Sequence, residues 1–152
     1  IYLLNIDEKH DGTDFFGVSD PVVKVNVKIE EEIASLSEEE QKEYIKELGL
    51  EESGLDKLIR IAYKILNLDT FFTTGKDETK AWTIRKGTKA PEAAGVIHTD
   101  FIKGFVRAEV ISWDKFVECE GEIQAKEKGL IRTEGKEYVV QDGDVCHFLI
   151  NR

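Results

Sequence analysis

Phosphate chemistry needs a cradle of backbone amides and a lysine, usually written GxxxxGK followed by Ser or Thr between a strand and a helix. Gly75-Lys76 comes nearest, but Asp77 stands where the magnesium-holding hydroxyl belongs and Thr70 where the first glycine belongs. The loop therefore reads as an ordinary turn, which argues against hydrolysis by this chain alone. His98-Thr99-Asp100 sets an imidazole beside a carboxylate, the raw material of acid/base catalysis. No serine or cysteine nucleophile accompanies it in a recognisable motif, so structural or interface use is the better reading. Cys119, Cys146 and His147 fall short of the four ligands of a structural zinc site, and adjacent strand residues point to opposite faces. No metal site is expected from them. Asn5-Ile6-Asp7-Glu8, taken alone, is a polar loop.

A further group is cationic: Lys80, Arg85, Lys86, Lys89, Lys103 and Arg107, with Trp82 and Phe105 between them. Such a mixture grips RNA by phosphate contact and base stacking. It is equally what an amphipathic module shows when Trp82 and Ile84 face the core and the lysines face water. Charge placement is compatible with the first reading. Residues 1–69 hold 8 Lys/Arg against 17 Asp/Glu and residues 70–152 hold 13 against 14, charges of −9 and −1, so a polyanion would favour the second half.

These residues need elements to position them. With 41% apolar and 34% charged residues, the chain is too hydrophobic for general disorder and too interrupted for a membrane span, so no membrane association is expected. Two distant cysteines without a CxxC, and no opening h-region, point to the cytoplasm. There is no Met, and Ile1–Leu4 reads as a buried strand already under way, which predicts a fragment or processed product. Val22–Val27 is a second β-branched run. Ser37 with Glu40 predicts a capped helix over about 38–48, ended by a left-handed Gly49. Ser53 with Asp56 predicts another, whose Leu55, Leu58, Ile59, Ala62, Ile65 and Leu66 form a wide apolar packing stripe ending near Asn67.

Beyond Asp69 strands are predicted near 70–74, 80–85, 105–111, 137–140 and 145–150. Short helices are predicted from Pro91 to Ala94, Trp113 to Val117 and Glu122 to Lys128. This is an α+β pattern with a mixed sheet. Asp142-Gly143 predicts a turn with positive φ feeding the last strand into the core.

The run FFTTGKDETKAWTIRKGTKAPEAAGVIHTDFIKGF, residues 71–105, joined by Asp142-Gly143-Asp144, resembles the C-terminal TGS module of the Obg-like ATPases of the YchF family. The match extends from about Leu48 to Asn151. The resemblance implies a ubiquitin-like β-grasp TGS domain over 70–152. Before it, residues 1–69 would be the trailing remnant of an α/β P-loop nucleotide-binding domain. It further implies a parent that binds and hydrolyses ATP with magnesium, whose phosphate and metal ligands are absent from this chain. Asn5 and Glu8 match the family's NxxE base-reading loop, with Ile6 between them, which implies adenine contact. Val27 and Lys28 match a second base-side loop, residues 26–30, whose backbone amides face the base. Val27 is bulkier than the family's usual residue there, and the stretch from Glu8 to Lys28 is shorter than the family's. Ribosome or RNA partners are implied for the TGS module. The alternative is a ubiquitin-like protein-docking or intramolecular regulatory module that touches no nucleic acid.

Overall fold

The structure, a computed structural model, describes residues 1–7, 21–75 and 78–151. Its contacts divide the chain into two units, Ile1–Ile65 and Leu66–Arg152. In the first, β1 (Tyr2–Asn5) and β2 (Val22–Val25) pair in parallel, Asn5 opposite Val25, and three helices follow: α1 (Val27–Ala34), α2 (Glu38–Glu47) and α3 (Gly54–Leu66). Among the described residues, Val23, Val25 and Ile33 are its buried apolar ones.

Local signals account for each helix end. The capping box is present, with Glu40 accepting from the Ser37 amide at 2.9 Å and from its hydroxyl at 2.7 Å. Those bonds hold the Glu40 carboxyl below its ordinary range. Gly49 ends α2 at φ +70°, with its own amide on Lys46 O and that of Leu50 on Ile45 O, a Schellman arrangement. Ser53 Oγ caps the Asp56 amide at 3.0 Å, and Asn67 follows α3 at φ 52°.

Three expectations for this unit need correction. The β1 run is a strand but is not buried: Ile1, Tyr2 and Leu3 are 49%, 44% and 55% exposed, because among the described residues only β2 pairs with it. The stripe on α3 leaves Leu55, Ile59, Ile65 and Leu66 exposed, since no described element covers that face. Residues 27–30, read as a loop, are the first turn of α1, because Asn26 caps them.

In the second unit the strands are β3 (Leu68–Thr74), β4 (Thr79–Arg85), β5 (Phe105–Ser112), β6 (Arg132–Glu134) and β7 (Asp144–Ile150). The helices are α4 (Ala90–Ile97), α5 (Asp100–Gly104), α6 (Trp113–Glu118) and α7 (Glu122–Glu127). The sheet order is β4-β3-β7-β5-β6, with β3 and β7 parallel and the other pairs antiparallel, so the expected mixed α+β sheet is present. Side-chain alternation separates two cores. On one face Phe71, Ile84, Ala108, Val110 and Cys146 pack against Ala90, Ala93 and Ala94 of α4, with Phe148 edge-on to Phe71 at 5.8 Å. On the other, Phe72, Ile111 and Val145 pack against Phe116, Cys119 and Ala125. Pro91 occupies the first turn of α4 as expected.

Residues 137–140 do not form a sheet strand. Val140 and Tyr138 instead bond the turn before α4, through Val140 N to Thr88 O and Ala90 N to Tyr138 O, and Val139 makes a single bridge to Lys89. The edge position goes to Arg132–Glu134, which no apolar run had marked.

The turn Asp142-Gly143-Asp144 gathers the ends of several elements. Asp142 Oδ1 accepts from the Thr70 amide at 2.7 Å, Gly143 N donates to Thr70 O at 2.8 Å, and Trp113 N donates to Gly143 O at 2.9 Å. Asp144, 3% exposed, accepts from the Tyr138 hydroxyl at 2.6 Å and the Gln141 amide at 2.8 Å, with Arg132 3.6 Å away. Burial, then the bond to Asp144, pushes the Tyr138 phenol well above its usual range. Gly143 sits at φ +83°, and a Cβ there would lie 2.5 Å from the Trp113 ring.

Gly143→Val is therefore expected to cost more than ~2 kcal/mol from backbone strain and overlap, about 10 °C in Tm. Trp113→Ala in the same chain should relieve the overlap but not the strain. An unchanged melting temperature for Gly143→Val contradicts this account. For Tyr138 the raised phenol pKa means that its contribution is present below the ordinary value of about 10 and is lost as pH climbs beyond it. Tyr138→Phe should cost ~1 kcal/mol at neutral pH and make the alkaline decline in stability shallower. Urea unfolding from pH 7 to above 10 reads both, and identical alkaline slopes would count against the bond.

Candidate functional site

Parallel strands present their carboxyl ends to ligands. Here Asn5 ends β1 opposite Val25, and Asn26 follows one residue later at the end of β2. The Asn5 carboxamide oxygen accepts from the Val27 amide at 3.3 Å, and the Asn26 oxygen accepts from the amides of Lys28 at 3.1 Å and Ile29 at 3.4 Å. The Ile6 amide donates to Val25 O at 2.8 Å. Four of the expected base-site residues, Asn5, Ile6, Val27 and Lys28, are thus brought together. Glu8 lies outside the described residues. The amides of Val27 and Lys28 are taken up by the two asparagines, so the groups turned outward are side chains.

Next to them is an open cleft of about 330 Å³, with Ile6, Val25 and Ile29 as apolar wall and Lys24, Glu30 and Lys57 among its polar groups. Glu30 closes one side. Its carboxylate accepts from the Gly54 amide at 2.7 Å and the Leu55 amide at 3.2 Å, capping the start of α3. A Cβ on Gly54 would meet Glu30 Oε1 at 2.8 Å and Val25 at 3.1 Å, so the glycine permits the approach. Glu52, also on the cleft, is held below its ordinary carboxyl range by its bond to Arg60. Glu30, Glu51 and Glu52 line the cleft with Lys24 and Lys57, a balance that suits a neutral ring and disfavours a polyphosphate.

Beyond their place in the 26–30 loop, the side chains of Asn26 and Glu30 carry no expectation from sequence. The available signal was an Asn immediately before the Ile29 and Ile33 spacing, the mark of a capped helix.

The six cations are spread over the second unit. Lys80 and Arg85 lie on opposite faces of β4, and Lys80 sits over the Trp82 ring at 4.5 Å. Trp82 donates to Thr73 Oγ1 at 2.9 Å and packs against the core, while Ile84 is buried. Lys86 follows β4, and Lys89 is paired with Glu137 at 2.5 Å. Lys103 is on α5, and Arg107 on β5, three strands from β4. The register brings no more than neighbours in sequence together. His98 and Asp100 are exposed, with His98 Nδ1 accepting from the Asp100 amide at 3.2 Å as part of a turn into α5. Cys119 and Cys146 are buried free thiols, and burial pushes the Cys146 thiol up. Lys76 and Asp77 lie outside the described residues, while Gly75 N donates to Glu78 O at 2.9 Å across the hairpin. No described helix is long and apolar enough to cross a membrane.

Removing the Glu30 carboxylate leaves two first-turn amides of α3 without their acceptor. Glu30→Ala is expected to destabilise residues 1–65 by ~1 kcal/mol. Hydrogen exchange at Gly54 and Leu55 checks it, and unchanged protection at both amides would remove the cap from the account.

Comparison with known proteins adds a family. Residues 68–151 match the family model YchF-GTPase_C, described as a protein of unknown function (DUF933). A Pasteurella multocida protein named ribosome-binding ATPase YchF is 56% identical over 130 residues, 86% of this chain and 36% of the relative. The Bacillus subtilis protein of that name is 53% identical over 135 residues, 89% of this chain and 37% of the relative. The chain thus spans a little over a third of these relatives. The solved Schizosaccharomyces pombe YchF GTPase superposes on 98% of this chain and 43% of its own, with a TM-score of 0.80 and 39% identity. A GTP binding protein from Pyrococcus horikoshii shares the fold, with a TM-score of 0.54 and 17% identity over 86% of this chain.

Proposed function

The chain belongs to the YchF family, and from that premise we propose that it is the C-terminal part of a ribosome-associated, ATP-binding and ATP-hydrolysing protein. Residues 1–69 would form the base side of the nucleotide site and residues 70–152 a TGS module for the ribosome. The observation that carries the first half is the Asn5 carboxamide, whose oxygen accepts from the Val27 amide and whose two N–H groups, without a partner among the described residues, would be offered to a purine edge. Ile6 and Ile29 offer the apolar wall against which a ring can lie. The acidic balance of the cleft is consistent with phosphates and magnesium being held by residues outside this chain, so the reading gives it base contact and no hydrolytic step. When bound, ATP would supply the phosphoryl group. For the second half, the order β4-β3-β7-β5-β6 with a parallel central pair supports the β-grasp reading.

Two modes of ribosome contact are distinguishable. Arg85, Lys86 and Lys89 would contact RNA, whereas the groove between Phe72, Trp113, Phe116 and Val117, with Val117 66% exposed, would take protein. The scatter of the cations favours protein docking over a continuous RNA face.

The full-length parent carrying Asn5→Ala, the triple change of Arg85, Lys86 and Lys89 to Glu, or Val117→Asp separates these roles. Asn5→Ala should weaken ATP about five- to tenfold, the worth of roughly one hydrogen bond, and leave ribosome cosedimentation intact. One of the other two should reduce cosedimentation without altering ATP affinity. A salt-dependent loss with the triple change identifies RNA, and a loss with Val117→Asp identifies protein. Wild-type behaviour in all three would sink the assignment.

A further inference from the structure

Glu109 on β5 and His147 on β7 are register partners, so their side chains leave the same face of the sheet at adjacent positions. Glu122, the first residue of α7, reaches the same point, and one donor atom from each of the three lies within 4.8 Å of the others. Two carboxylates and an imidazole from three elements form a mixed nitrogen and oxygen donor set. A cation already serves them: Lys126 Nζ is 2.6 Å from Glu122 and 3.4 Å from Glu109. Its side chain is half exposed, so the arm can swing into solvent and leave a net charge of −2 behind. Beside the group is a cavity of about 20 Å³, walled by Thr74, Ile111 and Phe116 as well as the three donors. That is room for one water, the fourth ligand of an open tetrahedral site.

We propose that Glu109, Glu122 and His147 bind a divalent transition-metal ion of the zinc class, with Lys126 as the cation it displaces. The imidazole disfavours calcium and magnesium, which take oxygen-only shells, and selects zinc or its neighbours. The bound ion would pin α7 to the β5–β7 pair, the elements that cover the second core. Cys146, next in sequence to His147, borders the cavity but packs in the other core and is not one of the three donors, which is why a search for ligands adjacent along the chain misses the site.

Titration of the metal-free chain with Zn²⁺ by calorimetry, and with Co²⁺ by visible absorption, tests this. One equivalent should bind and raise the Tm of the second unit by mass action. His147→Ala and Glu122→Gln should each weaken binding by about tenfold or more, while Lys126→Met, which removes the competitor, should strengthen it. Glu122 is a half-exposed helix-start residue, so its variant tests the site even if another variant fails to fold. His98→Ala, away from the group, should bind as the unaltered chain does. Affinity indifferent to both His147→Ala and Glu122→Gln, or the absence of any saturable binding, overturns the proposal.

Discussion

The parallel pairing of β3 with β7 is the constraint on which the second unit rests. Parallel neighbours cannot be joined by a tight turn, so their register needs a clamp from elsewhere. The turn at Asp142–Asp144 supplies it. Asp142 accepts from the Thr70 amide, the Gly143 amide donates to the Thr70 carbonyl, and Asp144 accepts from the hydroxyl of Tyr138, in the segment that pairs with the start of α4. Once Phe72 lies opposite Val145, strand alternation sends Phe71 and Cys146 to one core and Phe72 and Val145 to the other. A slip of one residue would exchange the two sets.

The same logic, with amides in place of strands, organises the first unit. Asn5, Asn26 and Glu30 each occupy backbone donors that would otherwise be unsatisfied at helix starts. Together they fix the strand ends and the helices that border the cleft. Those acceptors also set its chemistry, because the first-turn amides are no longer offered to a phosphate and Glu30 adds negative charge. What remains suits a ring and its edge. That is the ground for the proposed division of labour, in which this chain would contact the base and residues outside it would handle the phosphates.

Much of the fold was legible wherever a short-range signal and its consequence lie within a turn of each other. Ser37 with Glu40, Ser53 with Asp56, Gly49, Pro91 and Gly143 all do what their local chemistry predicts. The Asn26 cap was equally local and went unread because Val22–Val27 looked like one strand. Other features had no local trace. Val139 and Val140 have strand character, yet their partners are Thr88 and Lys89, more than forty residues away. The apolar repeat of α3 predicted burial correctly in type but not in extent, since burial depends on what is available to cover the face.

Residue types and spacing by themselves determined the α+β class, the Ser37 and Ser53 caps, the family and the missing phosphate loop, because each of these is written in contiguous residues. Tertiary structure alone decided which cations stand apart, that Asn5 reaches the Val27 amide, and that His147 meets Glu109 and Glu122. The physical reason is register. Strand pairing converts positions tens of residues apart into neighbours a few ångströms apart, and no spacing along the chain encodes which pairs those will be.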